Sequence, residues 1–260
     1  MELDGRVVVV TGGTRGVGAG IARSFLAAGA DVVVCARRPP EQEVVADGRT
    51  AAFTPVDLRD PAAVHAFFGA VAARYGRLDC LVNNAGGTPY RLLSEGEAQR
   101  HARVVELNLI APMAASLAAY PWLREARGSV VMIGSVSGTR PSPGTAAYGA
   151  AKAGLENLAR SMAVEWAPEV RVNSLVLGMV RTELAHLHYG DETGIAAVGA
   201  TVPLGRLADP SDVGAAAVFL ASDRAAYVSG ASLLVHGGGE RPAFLDAATV
   251  NKEDRDGGTV

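Results

Sequence analysis

The sequence predicts an α/β fold in which helices cover both faces of one doubly wound parallel sheet. Short apolar runs alternate with segments of helical periodicity along most of the 260 residues. The runs are almost continuously apolar, as expected for parallel strands that are buried on both faces. A chain of this length can bury the core of one large domain, and neither an internal repeat nor an interdomain linker interrupts the pattern.

The individual elements follow from the order of these runs. Apolar runs predict strands at Val7–Val10, Asp31–Cys35, Ala51–Val56, Leu78–Asn83, Ser129–Gly134, Arg171–Leu177 and Ser232–Val235. The segments between them predict helices near residues 17–28, 61–75, 95–119, 146–166 and 210–221. Residues 240–260 break the pattern, because Pro242 interrupts them and their end is polar and charged, so a mobile C-terminal tail is expected there.

A glycine-rich turn follows the first strand. Residues 11–18 read Thr-Gly-Gly-Thr-Arg-Gly-Val-Gly and lead directly into a helical segment. Glycines let the backbone approach a diphosphate closely, and the N-terminus of the next helix contributes free N–H groups and a positive dipole end. The turn therefore predicts a nucleotide-binding site formed by Gly12, Thr14, Arg15, Gly16, Val17 and Gly18.

A tyrosine and a lysine later in the chain predict a proton-transfer device. Tyr148 and Lys152 lie four residues apart, so they share one face of a helix. A protonated lysine there would stabilise the phenolate and lower the tyrosine pKa from about 10 towards the working pH. Ser135 lies in a stretch of small residues that could hold its hydroxyl beside the phenol.

Together these motifs resemble the classical short-chain dehydrogenase/reductase family. The turn spacing Thr-Gly-x-x-x-Gly-x-Gly differs from the general dinucleotide fingerprint Gly-x-Gly-x-x-Gly and is similar to that of the family. The resemblance extends from Val7 to about Gly239. It implies a single Rossmann-type domain over residues 1–239, followed by the tail at 240–260.

The resemblance also implies a reaction and a role for four residues. The reaction is hydride transfer between an NAD(P) cofactor and a ketone or secondary alcohol, in which the cofactor supplies the hydride. Tyr148 would donate the proton to the carbonyl oxygen, and Ser135 would orient that oxygen. Lys152 would lower the pKa of Tyr148 and bind the nicotinamide ribose, and Asn108 would hold a water through which the proton is replaced.

Most of the cofactor contacts are implied by the same resemblance. Asp57 corresponds to the family's acceptor for the adenine amine, and residues 83–86 match its Asn-Asn-Ala-Gly motif at a strand end. Residues 178–182 correspond to those that grip the nicotinamide carboxamide, although Leu177 replaces the usual proline. Beyond the glycine turn, the contacts expected on this basis are Asp57, Leu58, Asn84, Ala85, Gly86, Tyr148, Lys152, Gly178, Val180 and Thr182.

The end of the second strand indicates the preferred cofactor. In this fold a carboxylate at that position holds the ribose 2′-hydroxyl of NAD. Here the strand ends Cys-Ala-Arg-Arg at residues 35–38, without a carboxylate. Arg37 and Arg38, with Arg15 in the glycine turn, offer guanidinium groups that suit a 2′-phosphate. The sequence therefore predicts a preference for NADPH, with NAD as the alternative.

The substrate is predicted as a class. The residues expected to line its pocket are Gly87–Tyr90, Val136–Arg140, Met179 and Leu184–Thr193. This mixture suits a moderately apolar ketone or alcohol, such as a 3-oxoacyl thioester, a steroid-like ring ketone or a small cyclic carbonyl. Residues 167–169, Ala-Pro-Glu, disfavour an acyl-carrier substrate, because carrier-protein reductases of the family tend to have basic residues there. His186 and His188 have no evident third ligand, so a mobile loop is expected rather than a metal site.

Composition argues against several kinds of partner. The formal net charge of −3, without a basic run, disfavours nucleic acid. No stretch approaches the roughly 18 uninterrupted apolar residues of a membrane span. The acidic N-terminus enters a strand at once, which leaves no room for a signal peptide, and Cys35 and Cys80 are expected to stay reduced. A cytoplasmic protein is expected.

The resemblance further implies a homotetramer or homodimer built on the helices that carry Asn108 and Tyr148. A non-catalytic NAD(P)-binding regulator on the same fold is the alternative function, and the complete set of catalytic residues disfavours it. A sugar-nucleotide epimerase is disfavoured by chain length and glycine spacing. An enoyl reductase is disfavoured because the family's enoyl reductases place more than three residues between the tyrosine and the lysine.

Overall fold

Seven parallel strands form the centre of the fold. The computed structural model describes residues 2–248. Its strands, in chain order, are β1 (Val7–Thr11), β2 (Asp31–Ala36), β3 (Val45–Ala46), β4 (Arg49–Thr50), β5 (Ala52–Pro55), β6 (Cys80–Asn83), β7 (Ser129–Ser135), β8 (Arg171–Leu177) and β9 (Ser232–Val235). The parallel sheet has the order β5-β2-β1-β6-β7-β8-β9, which confirms the predicted doubly wound α/β fold. The strand order reverses between β1 and β6, the position at which open α/β sheets form a ligand-binding crevice.

Helices cover both faces of this sheet. They are α1 (Gly16–Ala27), α2 (Pro61–Tyr75), α3 (Ala98–Val105), α4 (Ala111–Ala126), α5 (Ala146–Glu165), α6 (His186–Tyr189), α7 (Glu192–Thr201), α8 (Pro210–Ala221) and α9 (Ala243–Ala247). A π-helical turn, Glu106–Ile110, joins α3 and α4 into one helix of 29 residues. At the start of α2, the Asp60 carboxylate accepts hydrogen bonds from the N–H groups of Ala62 and Ala63, so Asp60 is the N-cap of this helix.

Two apolar layers lie on opposite faces of the sheet. Alternate valines of β1 face opposite layers, because successive side chains of a strand point to opposite sides. Val7 and Val9 belong to the layer under α2, α4 and α5, and Val8 and Val10 belong to the layer under α1 and α8. All four are at most 2% exposed. This double burial explains why the strands are apolar without alternation.

The long helix Ala98–Ala126 is long and apolar enough to cross a membrane when judged by length and composition alone. Its α4 portion buries Ala111, Ala115, Ala119 and Leu123 in the core. In the structure, α4 contacts α2 and β6, as does a core helix that packs on one face of the sheet.

The structure differs from the expected elements at three places. Residues between β2 and β5 form the antiparallel hairpin of β3 and β4. The segment 184–193, expected to be a mobile loop, contains α6 and the start of α7, whose N-cap Asp191 accepts a hydrogen bond from Gly194 N. In the predicted tail, α9 is helical and Glu240 pairs with Arg140 at 2.5 Å. Residues 249–260 lie outside the described part of the chain.

Candidate active site

The glycine turn is held in a conformation that needs glycine. Gly12 and Gly16 have φ values of +64° and +53°, in the left-handed region. A Cβ on Gly18 would lie 2.3 Å from Gly12 O and 2.4 Å from Asn84 Nδ2, so only glycine allows α1 to start this close to β1. Asn84 Nδ2 donates to Thr11 O at 2.9 Å and fixes the turn to the end of β6. The turn therefore brings backbone without side chains to the N-terminus of α1, the kind of surface that a diphosphate requires, and Gly16 N there donates to the Glu183 carboxylate at 2.8 Å.

A cleft of about 1030 Å³ opens beside this turn, at the carboxyl ends of the central strands. It brings together residues from every predicted motif. Of the predicted site residues, those that line it are Gly12, Thr14, Arg15, Gly16, Val17, Gly18, Arg37, Asp57, Leu58, Asn84, Ala85, Gly86, Ser135, Tyr148, Lys152, Gly178, Val180 and Thr182.

Two predicted site residues do not line the cleft. Arg38 follows Arg37 just after the end of β2 and is exposed, but it is not among the residues that line the cleft. Asn108 is fully buried behind the cleft. The structure therefore supports Arg37 and not Arg38 as a residue that faces a ligand.

Asn108 ties the π-helical turn to the strand end at Gly86. Its side-chain Nδ2 donates to Gly87 O at 2.9 Å and to Val104 O at 2.8 Å, and its Oδ1 accepts from Gly87 N at 2.9 Å. A Cβ on Gly86 would lie 2.5 Å from Asn108 Oδ1 and 3.6 Å from Lys152 Nζ. Asn108 therefore fixes the Gly86–Gly87 backbone beside the lysine, with backbone carbonyls as the partners of its amide N–H groups.

Ser135 and Tyr148 meet at the floor of the cleft. Ser135 ends β7, and Tyr148 lies in the first turn of α5. Burial raises the pKa of the Tyr148 phenol, and the hydrogen bond with the Ser135 side chain acts in the opposite direction. The electrostatic interaction with Tyr189 on α6 raises the pKa of Tyr148 further.

Lys152 is 3% exposed and lies one turn after Tyr148. Its Nζ donates to Ile133 O at 2.7 Å and lies 5.5 Å from the centre of the Tyr148 ring. Burial lowers the pKa of Lys152 to about 8. The sequence predicts a lowered pKa for Tyr148, but burial of the phenol raises this pKa, and the Lys152 ammonium donates to a backbone carbonyl.

Asp57 lies at the far end of the cleft in ionised form. Arg59 holds it with hydrogen bonds of 3.0 Å from Nε and 2.6 Å from Nη2. These bonds, with a smaller contribution from Arg37, lower the pKa of Asp57 to about 2. Arg37 therefore acts on the carboxylate that the sequence assigned to the adenine end.

The predicted substrate-pocket residues divide between two spaces. Gly87, Thr88, Pro89, Leu184 and His188 line the main cleft. A second cavity of about 440 Å³ adjoins it, and both spaces are lined by Gly178. The predicted residues Val136, Thr139, Arg140 and Met179 line this second cavity, together with Glu240 and other residues of the C-terminal segment.

Sequence reasoning missed several charged residues of the cleft. Glu183 accepts a hydrogen bond from Gly16 N at 2.8 Å, and no sequence pattern around either residue predicts this contact. The others are arginines, namely Arg59, Arg91, Arg100 and Arg103. The spacing of Arg100 and Arg103 with Val104 is helical, which could have placed them on one face.

Within residues 2–248, no three His, Cys, Asp or Glu side chains come together as metal ligands. His186 Nδ1 lies 3.1 Å from Glu183 O, so its contact is with the backbone. Cys35 and Cys80 are buried free thiols.

Comparison with known proteins places this cleft in context. A family model described as enoyl-(acyl carrier protein) reductase matches residues 12–240. Rabbit L-fucose dehydrogenase is 39% identical over 247 residues, covering 91% of this chain and 85% of the relative. The 3-oxoacyl-[acyl-carrier-protein] reductase of Escherichia coli is 34% identical over 242 residues, covering 92% and 98%. The ligand-free structure of Thermoplasma acidophilum aldohexose dehydrogenase superposes with a TM-score of 0.85 at 30% identity, covering 91% and 94%.

Proposed function

Because the chain belongs to the short-chain dehydrogenase/reductase family, we propose that it interconverts a ketone and a secondary alcohol by hydride transfer and prefers NADPH. The observation that carries this proposal is the meeting of Ser135, Tyr148 and Lys152 in the same cleft as the glycine turn. The three relatives named above are, by name, two dehydrogenases and one 3-oxoacyl reductase, and each name gives a different substrate.

The cofactor would lie along the cleft from Asp57 to Tyr148. The turn at Gly12, Gly16 and Gly18 fits a diphosphate because its glycines carry no side chain and it opens α1; the Glu183 carboxylate, which accepts from Gly16 N at 2.8 Å, would give up that N–H to the diphosphate. Bound there, the nicotinamide supplies the hydride. We assign its carboxamide to Val180 and Thr182 and its ribose to Tyr148 and Lys152, as the family resemblance implies.

Tyr148 is the proposed proton donor to the substrate oxygen in reduction and the proton acceptor in oxidation. Ser135 donates a hydrogen bond that orients the same oxygen. The ammonium of Lys152, 5.5 Å from the centre of the phenol ring, stabilises the phenolate left after proton transfer. Asn108 acts as a positioning residue, because it holds Gly86 and Gly87 against Lys152.

A carbonyl substrate is favoured over the enoyl substrate in the family model's description. Three residues separate Tyr148 from Lys152, and the enoyl reductases of the family have a longer separation. For the substrate itself we propose a moderately apolar ketone of the kinds named above, a 3-oxoacyl thioester, a steroid-like ketone or a cyclic ketone. Val136, Met179 and Pro242 supply apolar surface in the second cavity.

The cofactor preference gives a first test. Wild-type kcat/KM should be at least about tenfold higher with NADPH than with NADH. Arg37→Ser should lower kcat/KM for NADPH by roughly 10- to 100-fold, since a charge-assisted hydrogen bond contributes about 1.5–3 kcal/mol. Arg38→Ser is the matched control, because Arg38 lies outside the cleft, and its effect should be small. A wild-type preference for NADH would contradict the proposal.

We propose that the protein is a homotetramer or homodimer. Large apolar side chains are exposed on α4 and α5, where Leu117 is 60% and Val164 is 81% exposed, and on the edge strand β9, where Leu234 is 53% exposed. Sedimentation should give a multiple of 26.7 kDa. Leu117→Asp should shift the equilibrium towards smaller species, whereas Val45→Asp, at a 42% exposed site on the β3–β4 hairpin and outside α4, α5 and β9, should not. A wild-type monomer would refute the assignment.

We also place the protein in the cytoplasm, where free thiols such as those of Cys35 and Cys80 stay reduced.

A further inference from the structure

One wall of the cleft carries arginines that the cofactor contacts proposed above do not use. Six arginines line the cleft, against two carboxylates, Asp57 and Glu183. Arg59 is paired with Asp57, and Arg15 and Arg37 are assigned to the cofactor. The remaining arginines, Arg91, Arg100 and Arg103, form no ion pair with any side chain that the structure describes, and we call them the outer arginines.

Two of the outer arginines project from one face of α3. Arg100 and Arg103 are spaced three residues apart and line the cleft together with Val104 and Leu107. Both arginines are exposed, so their charges face the open cleft. The wall that this helix presents to the cleft therefore combines two guanidinium groups with the apolar side chain of Val104.

Arg91 extends this charge towards the reaction centre. Its backbone N–H donates to Gly144 O at 2.7 Å, and residues 144–147 line the cleft directly before Tyr148. Its Cδ lies 3.1 Å from the position of a Cβ on Gly96, and His101 Nε2 lies 2.6 Å from the same position. Its Nη1 donates to Glu95 O at 3.1 Å. Arg91 therefore packs against the segment that leads into α3 and connects it, through Gly144 O, to the segment that leads into α5.

The outer arginines extend along the cleft from the end that holds Asp57. Glu106, at the C-terminal end of α3, acts on Arg59 and so lies near Asp57. Arg100 lies six residues earlier, about 9 Å back along the helix axis at 1.5 Å per residue. Positive charge thus continues from the adenine end to the vicinity of Tyr148, in a chain whose net charge is −3.

We propose that the substrate carries an anionic group, a carboxylate or a phosphate ester, which the outer arginines bind while its carbonyl lies at Tyr148. This inference rests on the proposed carbonyl chemistry and narrows its substrate class. A guanidinium group matches the planar oxygens of both anions, and unpaired positive charge in a cleft also steers an anion towards it. The anionic group of a keto acid or of a phosphate-bearing thioester could pair with the outer arginines, whereas a neutral steroid-like ketone has no group that could do so.

The test compares matched neutral and anionic carbonyl probes. The first pair is 4-acetylbenzoate and its methyl ester, and the second is dihydroxyacetone phosphate and dihydroxyacetone. With NADPH, kcat/KM should be at least about tenfold higher for the anion of one or both pairs. The pair with the larger ratio identifies the anion as carboxylate or phosphate. Salt at 0.5 M, as the chosen test concentration, should reduce the ratio, since about 1 M salt screens charges beyond about 3 Å.

Variants locate the effect. Arg91→Gln, Arg100→Gln and Arg103→Gln should each lower the anion-to-neutral ratio, by about tenfold for the strongest. The corresponding lysine variants should restore part of the ratio because they keep the charge. Arg160→Gln, an exposed site on α5 outside the cleft, is the control and should leave the ratio unchanged.

Two outcomes would overturn the inference. One is an anion-to-neutral ratio near one that none of the three variants changes. The other is a higher KM for NADPH in these variants without a change in the ratio, which would make the outer arginines cofactor contacts. Turnover of the neutral probes tests the carbonyl chemistry separately. If no probe is reduced, the affinities of the anion and the neutral partner of each pair are measured instead, by calorimetric titration into the enzyme with NADP⁺. Tighter binding of the anion supports the inference, and equal affinities would overturn it.

Discussion

Tyr148→Phe should lower kcat by about 10³-fold while leaving the affinity for NADPH within about twofold, because general acid–base catalysis contributes roughly 10²–10⁴-fold. The change removes one oxygen from a ring that otherwise keeps its place in the first turn of α5. Ser135 would still orient the substrate, but no proton would reach its oxygen. Carbonyl-dependent oxidation of NADPH measures turnover, and quenching of protein fluorescence measures cofactor binding.

Tyr120→Phe provides the matched control for this change. Tyr120 lies on α4 and packs against Trp166, with 4.5 Å between ring centres, so it is remote from the cleft. It should keep wild-type kcat. Retained turnover in Tyr148→Phe would refute the assignment of the proton donor. A wild-type protein that binds NADPH and reduces no carbonyl would instead favour the non-catalytic regulator.

Lys152→Met should lower kcat by about 100-fold and weaken NADPH binding. The variant keeps the length of the side chain and removes the positive charge that stabilises the Tyr148 phenolate. The composition agrees with a specific role for this lysine. Of the 24 lysine and arginine side chains only two, Lys152 and Lys252, are lysines. A compact ammonium whose pKa shifts on burial is therefore kept at this position in a chain that otherwise uses arginine.

The same variant tests the lowered pKa of Lys152 through stability. Between the folded pKa of about 8 and the ordinary value of 10.5, the unfolded chain binds more protons than the folded one. The free energy of unfolding should therefore rise with pH in this window, by up to about 3 kcal/mol for this group. Lys152→Met lacks that contribution, so its stability relative to wild type should fall from pH 8 to pH 10, as urea unfolding can measure. Parallel pH profiles for the two proteins would contradict the assigned pKa.

The fold could be predicted because the strands are buried on both faces. The valines of β1 show this directly, since their double burial requires a continuous apolar run. The segment between Leu184 and Thr201 could not be predicted in the same way. Its glycines at 190 and 194 weaken the helical pattern, and α7 begins at the Asp191 cap, whose carboxylate accepts from Gly194 N.

The candidate site also has features that the sequence predicts and features that it does not. The motif residues come together in one cleft because the carboxyl ends of parallel strands share one edge of the sheet. The direction of the Tyr148 pKa could not be read from a four-residue spacing, since it depends on how deeply the phenol is buried. Nor could the sequence show that Arg37 lines the cleft and Arg38 does not, or that Arg91 and Arg100 line the same cleft, because each depends on the tertiary arrangement of the segments.

The π-helical turn makes chain length between the two halves of the long helix a determinant of ligand choice. A residue of α-helix rotates the chain by about 100°, and a π-helical turn spaces its hydrogen bonds one residue wider than an α-helical turn. The Glu106–Ile110 turn thus sets the angle between the cleft face of α3 and the core face of α4. Loss of one residue there would rotate Arg100 and Arg103 relative to α4 by about 100° and would also displace Leu107, which lines the cleft, and Asn108, which holds Gly87. The length of this turn therefore decides which side chains of α3 face the cleft.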